Sequence, residues 1–201
     1  MRFKNLTILT ITEKTIEKIE STYHKLKGLA PLIYGSVGEL KAIELFKRLP
    51  NGYYVINDYR QSFRPPLYNK HTDERIYSIQ IDHIIIGPTG LFAVETKYWS
   101  KESIENNNFF SPVAQLKRNG YALFRVINRY ITKNNFQAFL SSWGETKTSV
   151  INILLMMNTS TNQRFQFVTI LTPKNFIQNI TNRPVVLTDK KINALVNMLH
   201  R

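Results

Sequence analysis

Two carboxylates and one ammonium group, Asp82, Glu95 and Lys97, fall within the segment IQIDHIIIGPTGLFAVETKYW. Ile79 to Ile86 is rich in β-branched residues, Gly87-Pro88-Thr89-Gly90 reads as a turn, and Leu91 to Tyr98 is strand-like again. With the four turn residues as the loop, the spacing predicts pairing of Ile86 with Leu91, Ile84 with Ala93, Asp82 with Glu95, and Gln80 with Lys97. Side chains alternate along a strand, so Gln80, Asp82, Glu95 and Lys97 would share one face and Ile79, Ile81, Phe92 and Val94 the other. Like charges placed opposite each other destabilise a strand pair by roughly 0.2–1 kcal/mol, so something positive belongs between them. A divalent cation with hard oxygen ligands is one candidate and Lys97 is the other.

Charged residues also decorate the wet faces of ordinary hairpins. What favours a site is the company they keep, because Ile84, Ile85, Ile86, Leu91, Phe92, Ala93 and Val94 make both strands almost continuously apolar. A sheet covered on both faces has this pattern, and polar side chains inside it need partners.

A further carboxylate lies upstream. From Ser36 to Leu49, the residues Leu40, Ala42, Ile43, Leu45, Phe46 and Leu49 occupy one broad arc of a helix, and Glu39 falls inside it. Lys41, Glu44, Lys47 and Arg48 take the opposite side. Ser36 and Glu39 also fit a capping box, in which the carboxylate bonds only the N-cap amide. The two readings are compatible, since a first-turn glutamate on the buried side can point along a sheet toward Asp82.

The motifs GSVGE, QIDHIIIGPTGLFAVETKYW and SPVAQLKRN, in that order, resemble the nuclease-related domain of the PD-(D/E)XK nuclease superfamily. The resemblance runs from about Tyr34 to the C-terminal helix. It implies an α/β fold in which a mixed β-sheet is flanked by helices, a restriction-endonuclease-like core. Glu39 matches the superfamily's helix glutamate, Asp82 its first metal-binding aspartate, Glu95 and Lys97 its ExK pair, and Gln115 a glutamine on the following helix. A Mg²⁺ or Mn²⁺ ion held by Asp82, Glu95 and the Thr96 carbonyl is implied, as is hydrolysis of phosphodiester bonds in nucleic acid, with DNA the inherited substrate. The chemistry suits these residue types. Phosphodiester cleavage needs an in-line hydroxide and positive charge beside the non-bridging oxygens, and a carboxylate-held ion supplies both. Lys97 would orient or deprotonate the water, or else simply neutralise Glu95 or Asp82. Glu39 would bind a second ion, hold a metal water, or merely cap its helix. Gln80 and Gln115 are candidates for positioning water or phosphate.

At 201 residues, 43% of them hydrophobic, the chain is long enough to bury a substantial core. A division into an N-terminal helical arm over 1–32 and a nuclease-like domain over 33–201 is expected. There are no cysteines, which excludes disulfides, thiolate metal sites and cysteine nucleophiles. No stretch approaches the ~18 apolar residues of a membrane span and no leader pattern opens the chain, so a cytoplasmic location without membrane partners is expected. The net charge of +13 favours an acidic partner, with nucleic acid first. Arg60, Arg64, Lys70 and Arg75, interleaved with Tyr59, Phe63, Tyr68 and Tyr77, are expected in a loop between a short strand at Tyr53–Asn57 and the hairpin. Such a loop would either contact phosphates and stack on bases or be a mobile insertion without a partner.

Periodicity predicts a first helix from about Thr12 to Lys27, and another opened by Ser111 and Pro112 and running to about Ile131. On the latter, Lys117, Arg118, Arg125 and Arg129 would face either a nucleic-acid backbone or solvent. Asn134 to Thr148 is linker-like, Val150 to Met157 and Phe165 to Leu171 read as strands, Thr172-Pro173 begins a short helix, and Thr188 caps the last one. The four histidines have no metal-ligand spacing, and His83 should point away from Asp82. No GxxxxGK[ST] phosphate loop is present. Many nucleases of this fold act as dimers, which makes a homodimer an open expectation. A catalytically silent nucleic-acid-binding module within a larger assembly is the alternative to an enzyme, and a structural interaction protein a third option.

Overall fold

The computed structural model describes residues 35–100, 110–134 and 147–200, together with Thr22, Leu29 and Ile104. The chain divides into two compact units, Met1–Val37 and Gly38–Arg201. The expected arm over 1–32 and its helix lie, apart from Thr22 and Leu29, outside the described residues, as does most of the linker-like region after Asn134.

Residues 35–46 form helix α1. There follow strands β1 (Tyr54–Asn69), β2 (Glu74–Gly87) and β3 (Gly90–Lys97), helix α2 (Phe110–Asn134), strands β4 (Val150–Met156) and β5 (Thr169–Leu171), and helices α3 (Pro173–Thr181) and α4 (Asp189–Leu199). The five strands lie in sequence order in one sheet. β1, β2 and β3 are antiparallel, and β4 and β5 continue parallel to β3. The sheet is therefore mixed and flanked by helices, as the resemblance implied.

Each face of the sheet has its own apolar cluster. On one, Val113, Leu116, Leu123 and Ile127 of α2 and Ile192, Leu195 and Leu199 of α4 pack against Ile84, Ile86, Leu91, Ala93, Leu154 and Met156. On the other, Ala42, Leu45 and Phe46 of α1 and Phe176 and Ile180 of α3 cover Ile85, Phe92, Val94, Ile153 and Leu155. This double cover explains why β3 is nearly all apolar: each fully buried Leu, Val or Phe side chain contributes about 1.5–3 kcal/mol of desolvation. Gly120 lets α2 settle on the sheet, since a Cβ there would lie 1.9 Å from Asn152 Oδ1.

Four expectations require correction. The segment expected to be a loop between residues 58 and 75 is instead the outer part of a long two-stranded ribbon, paired from Tyr54↔Ile86 to Asn69↔Glu74 with a register shift between Ser62 and Leu67. Pro65-Pro66 sits at that irregularity, where a proline forfeits no ladder bond. Leu40, placed by periodicity on the buried arc of α1, is 64% exposed. Helix α1 already includes residue 35, so Ser36 is not its N-cap and the capping box does not form. Strand β5 is confined to Thr169–Leu171, because Phe167 has φ of 66° and Phe165 makes only an isolated bridge to Val168. The expected helix cap at the C-terminal end holds, with Thr188 Oγ1 accepting from Lys191 N.

Candidate active site

The hairpin register is as predicted near the turn, with Ile86↔Leu91 and Ile84↔Ala93, although Gly87 and Gly90 also pair and leave only Pro88-Thr89 at the tip. The β2–β3 ladder ends at His83↔Val94, so the pairs Asp82–Glu95 and Gln80–Lys97 do not form. Gln80 pairs instead with Arg60 of β1. Side-chain alternation changes hand at the same place. Ile79 and Ile81 lie in the cluster of Ile84 and Ile86, whereas Phe92 and Val94 lie in the other, so those four do not share a face. The physical reason is a fork in the sheet: β2 leaves β3 beyond His83, and the neighbouring β1 residue Asp58 adopts a left-handed conformation with φ of 50°.

At the fork a side chain takes over from the backbone. Asp82 Oδ2 accepts a 2.9 Å hydrogen bond from Thr96 N, holding the end of β3 to β2 without a ladder bond. This puts Asp82 beside Glu95, although not in direct cross-strand register. Glu95 is only 3% exposed. Its Oε1 accepts from Lys97 Nζ at 2.7 Å, while Oε2 is buried and has no partner. Burial, then the negative charge of Asp82, push the Glu95 carboxyl up from its ordinary value, opposed by Lys97. Thr96 Oγ1 is likewise buried without a partner. Lys97, a quarter exposed, spans from this interior to solvent.

Glu39 joins from α1, on the solvent side rather than inside the apolar arc. Partial desolvation and the fields of Asp82 and Asp58 raise its carboxyl, while Lys97 opposes them. The close approach of α1 depends on Gly38, where a Cβ would lie 2.8 Å from Tyr98 Cβ just beyond β3. His83 packs against α1. It is buried, bonded through Nδ1 to Asn57 Oδ1 at 2.8 Å, and edge-on to Phe46.

Next to the acidic group lies an open groove of about 490 Å³ lined by Arg60, Gln80, Gln115, Arg118 and Asn119. Sequence reasoning named the first four and missed Asn119, whose Nδ2 donates to Gln80 O and whose Oδ1 is buried and unpartnered. Asp58 was also missed, because it was assigned to a loop. It accepts from Gln80 Nε2 at 2.9 Å and Arg60 Nε at 3.0 Å, so it bridges the groove and the acidic cluster. Arg118 is engaged by Glu74 and by Ser78 O, which ties α2 to the ribbon. Arg64 and Arg75 are exposed on the ribbon, and neither they nor Lys117 line this groove. Lys70 lies in a different hollow with Arg125 and Arg129.

Among the described residues, no three His, Cys, Asp or Glu side chains are grouped closely enough to hold an ion by themselves. The donor set nevertheless fits one hard cation completed by main chain and water. Glu95 Oε2 is a desolvated oxygen without a partner, and Asp82 has Oδ1 left after Oδ2 is taken by Thr96.

The chain belongs to the nuclease-related domain family, whose match spans residues 34–143. The small subunit of the heterodimeric restriction endonuclease R.BspD6I is similar over 82% of this chain and 79% of that chain, at 14% identity and a TM-score of 0.31. No curated protein gives a match.

Proposed function

We propose that this protein is a divalent-metal-dependent nuclease that hydrolyses phosphodiester bonds in nucleic acid, with DNA as its substrate. The observation that carries the reading is Glu95: a buried carboxylate with one oxygen on Lys97, the other without a partner, and a second carboxylate, Asp82, near enough to raise its pKa. A side chain so placed is costly to the fold unless a cation completes it. Asp82, Glu95 and the Thr96 carbonyl would hold Mg²⁺ or Mn²⁺. Bound there, the ion would lower the pKa of a water and offset charge on the phosphate.

The remaining work falls to the protein. Lys97 fixes the orientation of Glu95 and presents its ammonium to solvent, where it can hold a water or meet the developing phosphorane charge. Glu39, with its raised pKa, is suited to accept a proton from such a water. Gln80 and Gln115 offer amides in the groove, and Arg60 offers charge to a backbone phosphate. A cytoplasmic location and a homodimeric form belong to the same proposal.

The test is cleavage of labelled single-stranded, duplex and branched DNA and RNA with Mg²⁺ or Mn²⁺. Activity should require the ion and be lost in Lys97→Ala and Asp82→Asn, the latter chosen because it keeps an acceptor for Thr96 N. Wild-type protein that cuts none of these substrates with either ion would hand the case to a silent nucleic-acid-binding module.

A further inference from the structure

On the side of α2 that carries Gln115, the helix presents three arginines, Arg118, Arg125 and Arg129, at spacings of about two turns and one turn. Arg118 is engaged by Glu74. Arg125 and Arg129 are exposed and border a hollow of about 650 Å³ with Lys70 from the ribbon end and Lys147 from the segment leading into β4. The aromatic rings of Tyr121 and Phe124 lie between them. Arg125 donates to Tyr121 Oη at 3.0 Å and lies over its ring, which holds its guanidinium in place without neutralising it. Among the described residues the lining contains no carboxylate, and none of these four cations forms an ion pair with another described residue. Four cations gathered round an apolar floor repel one another, and with no counter-charge among the described residues the hollow is matched to a polyanion.

We infer that this hollow seats backbone phosphates of the same nucleic-acid strand that passes Gln115 in the groove. The inference rests on the nuclease reading for the identity of the strand, and the spacing follows from the helix. Arg125 and Arg129 lie ten and fourteen residues beyond Gln115, which is about 15–21 Å along α2. At roughly 3.4 Å per nucleotide of B-form DNA, that is about four to six nucleotides from the position at Gln115. The hollow thus sets a minimum length of substrate on one side of that position.

Fluorescence anisotropy in EDTA, with a hairpin-closed duplex of about 4 base pairs and a duplex of about 24 base pairs, tests this without requiring cleavage. Arg125→Ala/Arg129→Ala should weaken binding of the long duplex about tenfold or more and reduce the slope of log K against log salt by about 2, one for each phosphate no longer neutralised. Binding of the short duplex should change far less. Lys70→Ala/Lys147→Ala should reproduce the pattern, and Lys174→Ala/Lys190→Ala, which removes equal charge from exposed positions elsewhere, should not. Equal weakening by all three double variants, or for both duplex lengths, would overturn the assignment. So would inorganic tripolyphosphate raising the melting temperature through Arg125 and Arg129 while duplex length had no effect, since the ligand would then be a free polyphosphate. A chain that cuts nothing yet shows the length-dependent weakening would keep this site and sink the nuclease proposal, and the reverse result would do the opposite.

Discussion

Replacing Glu95 with glutamine keeps the shape of the side chain and removes its charge. In the wild type this carboxylate is 3% exposed, with one oxygen 2.7 Å from Lys97 Nζ and the other buried without a partner. Burying that oxygen as part of a charge costs about 1–3 kcal/mol more than burying a neutral amide in its place, which would itself lack a partner there. Lys97 is partly solvated and can recover water when its partner becomes neutral. In the absence of metal, Glu95→Gln should therefore be more stable than wild type by about 1–3 kcal/mol at pH 8, at about 2–4 °C per kcal/mol for a chain of this size. The pH dependence has a definite sign. The carboxyl is raised above its ordinary 4.5 in the folded protein, chiefly by burial. As pH falls through the folded value, the native state takes up a proton before the unfolded state does, so the wild type gains stability until pH passes below 4.5. The advantage of Glu95→Gln should shrink over that window and vanish at its acid end. Metal offsets or reverses the ranking: an ion at 100 times its dissociation constant adds about 2.7 kcal/mol, or about 5–10 °C, to wild type and none to the variant. Thermal melting from pH 4 to 8, with and without Mn²⁺, reads all of this. A variant less stable than wild type by the same amount at every pH, or one that keeps the full Mn²⁺ gain, would refute the reasoning.

Asp82→Ala should lower stability by about 1–3 kcal/mol, because Thr96 N loses its acceptor, whereas Asp82→Asn should stay within about 1 kcal/mol of wild type while losing the metal-dependent melting gain. Urea unfolding of the pair separates the structural role from the ionic one. Gly38→Ala should drive α1 away from Tyr98 and carry Glu39 with it, reducing cleavage more than tenfold with only a modest fall in melting temperature. Gly120→Ala should destabilise by about 1–3 kcal/mol despite its better helix propensity, since the new methyl meets Asn152, and Asn152→Ala in the same chain should restore most of that stability. A Gly120→Ala protein as stable as wild type would show that α2 can move off the sheet freely.

The sheet and its double cover were legible because burial on both faces leaves an unmistakable apolar run over Ile84–Ile86 and Leu91–Val94. The register near the turn followed from the tight loop. The fork was not legible: pairing rules extrapolate a ladder until something stops it, and what stops this one is the carboxylate of Asp82 bonding Thr96 N, a tertiary choice that strand propensity does not encode. Asp58 was hidden for a related reason, since an aspartate followed by polar and proline residues reads as the end of a strand, whereas the ribbon carries on through it. The convergence of Arg60, Gln80, Gln115 and Arg118 on one groove depended on α2 lying against the ribbon, which the Arg118–Glu74 pair enforces and which residue spacing alone could not foresee.

The tie between Asp82 and Thr96 has a consequence for how such a protein would lose the proposed activity over generations. Because one side chain fastens the sheet and would also face the proposed ion, erosion of function has an uneven menu. Glu39, which carries no such fastening, is free to drift, and Lys97 can follow once the buried carboxylate of Glu95 has gone, whereas position 82 stays constrained by the fold. Descendants that have abandoned catalysis should therefore be recognisable by an aspartate or asparagine surviving alone at that position, a keystone left standing after the machinery around it has been dismantled.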